Sequence, residues 1–335
     1  MKVVAETAPG ASVVAFPMGA PPVAHAPAVS VVVPMYNERA TLAPLLRELV
    51  SALDDSGRAW ELILVDDGST DGSWGELLEL KAGDPRVALV RLRRNFGKAA
   101  ALAAGFRRAR GEVVVTMDSD LQDDPREIPR LLAKLDEGYD VVSGWKEHRQ
   151  DPRSRRALSR GFNWLTGLLS GLQLRDVNCG LKAYRGNVLA DIRLYGEMHR
   201  FIPVLAHFDG FRVTEVAVNH RPRPVGRSRY GLERYLRGFL DLLTVTFFGR
   251  FRYRPLHLFG SIGLVTAFGG VVICTYLTGL KLAGSAIGHR PLLILGTLLI
   301  VVGGQFLMMG LLAELFLRLT EERRSTATDH VADVA

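Results

Sequence analysis

Three acidic clusters each stand at the end of a short apolar run: Pro34-Met35-Tyr36-Asn37-Glu38, Asp66-Asp67-Gly68-Ser69 and Asp118-Ser119-Asp120-Leu121-Gln122. Paired acids leaving a strand also serve as turn formers and helix caps, so Asp66-Asp67 alone divides evenly between a structural and a functional role. The third cluster says more. Acids at i and i+2 of an extended segment face one side and can reach a single divalent cation, and Gln122 continues the spacing with a neutral oxygen. A hard cation such as Mg2+ or Mn2+, held by few protein oxygens, keeps positions open for a diphosphate, so the expected partner is a nucleoside diphosphate conjugate. Other nucleotide signatures are missing. No G-x-G-x-x-G follows the first apolar run, and Asn95-Phe96-Gly97-Lys98 lacks both the upstream Gly and the following Ser or Thr of a P-loop.

The elements that must carry these clusters alternate. β-branched runs predict strands at 29–33, 61–65, 87–92, 112–117 and 139–143, with another near 212–218, and helical patterns fall at 39–53, 73–82, 97–109 and 126–136. This alternation is that of an α/β domain with a mostly parallel sheet, in which ligands sit beyond the carboxyl ends of the strands. The acidic clusters fall there.

The chain has 335 residues, 48% of them apolar, with 42 Lys and Arg against 35 Asp and Glu and only two cysteines. That length supports one large domain or two ordinary ones and excludes a disulfide scaffold or a multi-cysteine zinc site. Cys179 and Cys274 suit no redox pairing, and the eight histidines show no paired ligand spacing, so His199 and His207 read as structural or surface residues. Residues 221–254 hold nine arginines against Glu233 and Asp241, which accounts for the whole net charge of +7. Two runs without Asp, Glu, Lys or Arg follow, 256–280 and 292–313. As helices they would be about 37 and 33 Å long at roughly 1.5 Å per residue, enough to span a hydrocarbon core of about 30 Å. Arg250, Arg252 and Arg254 precede the hairpin and Arg318, Arg323 and Arg324 follow it, so the positive-inside rule places both ends, and the α/β domain, on the cytoplasmic side of the inner membrane. The arginine stretch thus reads as a membrane collar, with no nucleic-acid partner. Residues 1–28 form a flexible tail, since Glu6, Pro9 and Pro17 interrupt any signal-like stretch.

Two segments are amphipathic. Leu158, Phe162, Leu165, Leu168, Leu169 and Leu172 recur at helical spacing within 155–172, behind Arg155, Arg156 and Arg160 and beside Trp164. An interfacial helix on anionic lipid, a subunit contact and an ordinary core face all fit. Residues 230–249, with Tyr230, Tyr235, Phe239, Leu243, Phe247 and Phe248, lead directly to the first span and read as interfacial.

These motifs, together with Phe201-Ile202-Pro203, the basic juxtamembrane motif and two C-terminal spans in the same order, resemble the family 2 glycosyltransferases of GT-A fold in the polyprenyl-phosphate branch. The resemblance covers about residues 29–320. It implies a tail (1–28), a GT-A catalytic domain (29–228), interfacial helices (229–254), a two-helix transmembrane hairpin (255–320) and a cytoplasmic tail (321–335). It also implies that Pro34, Tyr36, Glu38, Asp66 and Asp67 line the nucleotide pocket, and that Asp118, Asp120 and Gln122 form the Mg2+ or Mn2+ and diphosphate site. Asp176, in Asp176-Val177-Asn178-Cys179-Gly180-Leu181-Lys182, matches an acid near the reacting centre. Arg223 and Arg229 match a phosphate-gripping pair, and Lys146 stands where the dolichol enzymes have Arg, without the bidentate fork. The implied activity is metal-dependent, inverting transfer of a sugar from a nucleoside diphosphate donor, UDP favoured over GDP, to a polyprenyl phosphate. Homo-oligomers, tetramers especially, occur among similar bacterial enzymes.

A lipid phosphate is largely dianionic at neutral pH, with a second pKa near about 6, so it needs no general base. Asp176 is therefore expected to position or stabilise before it serves as a base. A processive polysaccharide synthase shares the fold, yet no Trp follows Trp164 to supply the Gln-x-x-Arg-Trp motif of those enzymes. A catalytically silent nucleotide-sugar-binding membrane partner is the remaining alternative, and the complete acidic set argues against it.

Overall fold

The computed structural model describes residues 27–147, 153–192, 194, 196–222, 233–251, 254–284 and 291–328. The chain divides into two compact units, Met1–Val245 and Thr246–Ala335.

In the first unit, seven strands form one sheet: β1 (Val29–Met35), β2 (Trp60–Asp66), β3 (Val87–Arg91), β4 (Val113–Thr116), β5 (Val141–Lys146), β6 (Lys182–Arg185) and β7 (Val213–Val218). Their spatial order is β3-β2-β1-β4-β6-β5-β7, parallel throughout except that β6 runs antiparallel to β4 and β5. The helices are α1 (Arg39–Asp55), α2 (Ser73–Ala82), α3 (Lys98–Arg108), α4 (Ile128–Asp136), α5 (Arg153–Ser170), α6 (Gly186–Asp191) and α7 (Ile202–Phe208), followed by α8 (Glu233–Arg250). The six strands and four helices expected from periodicity are all present, with small shifts at their ends. β6, α6 and α7 are additions. Lys182-Ala183-Tyr184-Arg185 carries charge at both ends of four residues, too short and too polar to read as a strand, yet pairing on both sides buries it.

Every residue of β1 and β2 is buried, which is why their sequences run apolar without alternation. α3 lies against this layer because its inner face is small: Ala99, Ala101, Ala104 and Gly105 are buried, and a Cβ at Gly105 would collide with Val32. That close approach brings the N-terminus of α3 to the carboxyl ends of the strands.

Strand order reverses between β1 and β4, the switch point where doubly wound sheets open a crevice. β4 pairs with β1 only as far as Val32. Val32 O accepts from Met117 N on the β4 side, while Met35 O accepts from Asp67 N on the β2 side. By alternation, the nitrogen of Pro34 faces β4 just beyond the last paired residue. A proline costs no ladder hydrogen bond there and marks where the two strands part.

α5 has two faces. Phe162, Leu165 and Leu169 pack on a cluster containing Leu174, Val177, Met198, Phe201, Val204, Leu242 and Val245. Leu158, Trp164 and Leu168 are exposed. The division between units falls inside α8, whose Leu242 and Val245 belong to that core, while Phe239, Leu240 and Leu243 are exposed.

The second unit holds α9 (Pro255–Leu282) and α10 (Pro291–Thr328). α9 and the Pro291–Leu319 part of α10 have mean hydropathies of 2.0 and 2.3 and are long and apolar enough to cross a membrane. They meet through glycine: a Cβ at Gly263 would stand 2.6 Å from Gly303 O, and one at Gly270 would stand 2.5 Å from Gly296 O. Small residues at such positions let helix backbones approach closely.

Candidate active site

The loops after β1 and β2 are tied together before they meet any ligand. Asn37, at φ 55°, donates its N–H to Ser69 Oγ (2.9 Å), and its side-chain Oδ1 accepts from Thr70 N (2.8 Å). Asp66, fully buried at the end of β2, accepts from Ser69 N (2.8 Å) and pairs with Arg91 Nε at 3.2 Å. The loop that follows Pro34 and carries Tyr36 and Glu38 is thereby fixed beside the β2 end that carries Asp66. Pro34 is buried, Glu38 partly buried and Tyr36 exposed.

Asp67 is engaged by the 95–97 turn. Its Oδ1 accepts from Phe96 N and its Oδ2 from Gly97 N, both at 2.8 Å. Burial pushes its carboxyl above the ordinary range despite those two donors. It serves as a clamp on the 95–97 turn. Gly68, at φ +75°, has no alternative, since a Cβ would stand 2.5 Å from the carbonyl carbon of Arg94.

Asp118 and Asp120 follow β4. Asp118 is half-buried and ion-paired through Oδ1 with Lys98. Burial opposes its charge, but the Lys98 ammonium, with smaller help from Lys146 and His199, holds the carboxyl down to about 2. A Cβ at Gly180 would stand 2.5 Å from Asp118 Cγ, so the 176–181 loop lies directly on this carboxylate. Asp120 accepts from Gln122 N (3.1 Å) across Leu121, which adopts φ 60°. The amide nitrogen of Gln122 faces residues 220–221: Nε2 lies 3.3 Å from His220 Nε2 and 3.4 Å from Arg221 O.

Among the described residues no three His, Cys, Asp or Glu side chains converge as a preformed cation cage. The two carboxylates of Asp118 and Asp120 suit a hard cation that shares its coordination with a diphosphate.

Asp176 is buried. Its N–H donates to Glu215 Oε1 (3.1 Å), its Oδ1 accepts from Asn178 N (3.1 Å), and the neighbouring Arg175 N donates to both oxygens of Glu215. Burial raises the pKa of Glu215 in turn. Lys146, at the end of β5, is partly buried, which lowers an ammonium pKa, but the fields of Asp123, Asp176 and Asp118 carry it above the ordinary value. Lys182 opens β6 opposite Thr116 and donates Nζ to Val177 O (3.3 Å) and Cys179 O, stapling the loop that bears Asp176 and Gly180. Burial lowers its pKa, with Lys98 adding to the effect. Burial also pushes the Cys179 thiol up to about 12, which keeps it inert.

Arg223 and Arg229 lie outside the described residues. The segment just before them is anchored: Arg221 N donates to Gln122 O (2.8 Å), and the guanidinium pairs with Glu48 (2.6 Å) and Asp124 (2.9 Å).

Lys98 and Lys182 were not singled out in the sequence. Lys182 ends the Asp176 motif, but only the unforeseen strand β6 turns it into the site. Lys98 follows the glycine of the failed P-loop, and only Asp67, far off in sequence, brings it to Asp118.

Residues 30–193 match the family described as Glycosyl transferase family 2. The chain is 41% identical over 297 residues to a dodecaprenyl-phosphate galacturonate synthase of Rhizobium johnstonii, covering 87% of this chain and 88% of that protein. It is 37% identical over 302 residues to an undecaprenyl-phosphate 4-deoxy-4-formamido-L-arabinose transferase of Salmonella paratyphi B, covering 89% and 90%. In fold it is similar to glucosyl-3-phosphoglycerate synthase of Mycobacterium tuberculosis, solved with Mn2+, UDP and glucosyl-3-phosphoglycerate. The TM-score is 0.52 at 22% identity, over 67% of this chain and 80% of that one. A fold of GT-A type and similarity to sugar transferases over nearly nine tenths of the chain converge on one conclusion: the chain is a glycosyltransferase and belongs to glycosyl transferase family 2.

Proposed function

We propose that the protein transfers one sugar, with inversion, from a nucleoside diphosphate donor, preferably UDP-linked, to a polyprenyl phosphate at the cytoplasmic face of the inner membrane. The observation that carries this reading is the half-buried Asp118 carboxylate at the β1/β4 crevice, in a chain that also has two helices apolar enough to span a bilayer. The two relatives named for dodecaprenyl- and undecaprenyl-phosphate chemistry support the acceptor class.

Asp118 and Asp120 would hold Mg2+ or Mn2+, which when bound supplies charge neutralisation for the donor diphosphate. The other residues have separable tasks. Tyr36, Glu38 and Asp66 bound the nucleotide end of the crevice. Lys146 keeps a buried positive charge among three carboxylates, and Asp176, held by Glu215, stands as a fixed negative group beside the developing charge on the sugar. Arg223 and Arg229 are assigned to the phosphates on the strength of their motif. A dianionic acceptor needs no proton removed, so the residues must instead offset repulsion between two phosphates.

The test offers radiolabelled UDP- and GDP-sugars with undecaprenyl phosphate to the full-length protein, with Mg2+ or Mn2+ and with chelator. A labelled lipid that requires one donor and a cation, and that disappears in Asp120→Ala, is the expected result. Folded protein that makes no labelled lipid from any donor would overturn the reading.

A further inference from the structure

The Asn95-Phe96-Gly97-Lys98 turn fails as a P-loop in sequence, yet the structure builds it into the donor site by another route. Both oxygens of Asp67 grip the turn through Phe96 N and Gly97 N. Gly97, at φ 93°, then swings the chain into α3. Lys98 is the first residue of that helix, and its ammonium sits on Asp118 Oδ1 with one third of its side chain exposed.

This ion pair has no structural task that would explain it. α3 is already seated on the sheet by Ala99, Ala101, Leu102, Ala104 and Gly105, all buried. Drawing an ammonium and a carboxylate partly out of water costs as much as their attraction returns, so such a pair is a weak device for stability. Other ionisable groups surround it. Lys146 and Lys182 lie in the same electrostatic neighbourhood. His199 stands there too, on a turn packed against α3, only 9% exposed and with a buried Nδ1 that has no hydrogen-bond partner. Lys182 is committed to Val177 O and Cys179 O, and Lys146 stands among Asp123, Asp176 and Asp118, so Lys98, one third exposed, is the cation placed to exchange its partner for an incoming anion.

We propose that Lys98 is a diphosphate-binding catalytic residue: it pairs with Asp118 before the donor arrives and moves to the β-phosphate of the donor when that carboxylate is engaged elsewhere. This rests on the donor reading above. In the transfer, an acceptor phosphate oxygen bonds to the anomeric carbon as the bond from that carbon to the β-phosphate oxygen breaks. The electron pair stays on the departing oxygen, and Lys98 donates a hydrogen bond to the group that carries it without giving up its proton. A preorganised ammonium aimed at charge that develops in the transition state accelerates the step directly.

The test is calorimetric titration of the full-length protein in lipid nanodiscs with UDP, UMP, GDP and GMP in the presence of Mn2+. Wild type, Lys98→Met and Lys98→Arg are compared, using the nucleoside the wild type prefers. Lys98→Met is expected to weaken the diphosphate at least tenfold while the monophosphate changes by less than twofold, and Lys98→Arg is expected to recover most of the loss. Equal losses for both nucleotides would mark a structural residue and overturn the proposal, as would no loss for either. If Lys98→Met fails to fold, Lys98→Gln replaces it under the same criterion. A folded wild type that binds none of the four nucleotides would instead overturn the donor reading, an outcome distinct from equal behaviour of wild type and variants.

Discussion

How Asp118 is presented depends on a residue with no side chain. Gly180 lies so near it that a methyl group would stand 2.6 Å from Oδ1 and 2.7 Å from Oδ2. Gly180→Ala must therefore push the carboxylate or the 176–181 loop aside, at about 1–3 kcal/mol of overpacking. The expected outcome is a fall of at least tenfold in kcat/KM with a melting temperature lowered by only a few degrees, read by transfer assay and thermal melt. Glu215 gives a prediction in pH. Burial raises its folded-state pKa above the unfolded value of about 4.3, so the folded state holds this proton more tightly. Its contribution to stability is complete below the unfolded value and is lost as pH rises through the folded one. Gln titrates in neither state, so the Tm of Glu215→Gln minus that of wild type should grow more positive between about pH 4 and 7. Melts across that range check the sign, and a difference that falls with pH would refute it. At this scale the acids were legible because strand ends advertise them. Lys146 was named through the resemblance, but Lys98 and Lys182 were not, since each reaches its partner through a backbone path that residue spacing does not encode.

At the scale of elements, a short strap closes the crevice floor. Asp123 bridges His220, Arg221 N donates to Gln122 O, and the Arg221 guanidinium joins Glu48 of α1 to Asp124, the cap of the turn before α4. Three elements thus share one side chain. Its charge makes Asp124 more acidic than an ordinary Asp, burial notwithstanding and with Arg126 as the larger helper. Arg221→Met would leave Asp124, 2% exposed, with Arg126 and a long contact from Asn219 Nδ2 (3.5 Å). The expected loss is about 1–3 kcal/mol. Activity should fall further than Tm, because the strap sits against the Asp120-Gln122 turn; a variant with lowered Tm and full activity would contradict this role. Most elements on the parallel side were legible from their apolar runs, while β6 was hidden by its four residues and charged ends. Sequence reading left the apolar face of α5 open between a lipid interface, a subunit contact and the core; the structure buries Phe162, Leu165 and Leu169 against the core and leaves Leu158, Trp164 and Leu168 exposed.

For the whole molecule, the chain consists of a catalytic unit and a helical hairpin, each with its own internal packing. The hairpin was evident in sequence as two charge-free runs, but its closeness was not, because glycines scattered through an apolar run do not announce which pairs meet. Gly303 is pressed by backbone on two sides: a Cβ there would lie 2.6 Å from both Ala267 N and Gly263 O, atoms that cannot step aside. Gly303→Leu should therefore separate α9 from α10 while leaving each helix apolar enough for the bilayer, since packing between spanning helices is driven by close contact more than by hydrophobicity. The expected outcome is a lowered thermal aggregation onset in detergent, continued recovery of the protein in the membrane fraction, and nucleotide affinity within twofold of wild type. Loss of nucleotide binding would show that the hairpin's internal packing governs the crevice, and an unchanged onset would show that the glycine contact does not hold the hairpin together.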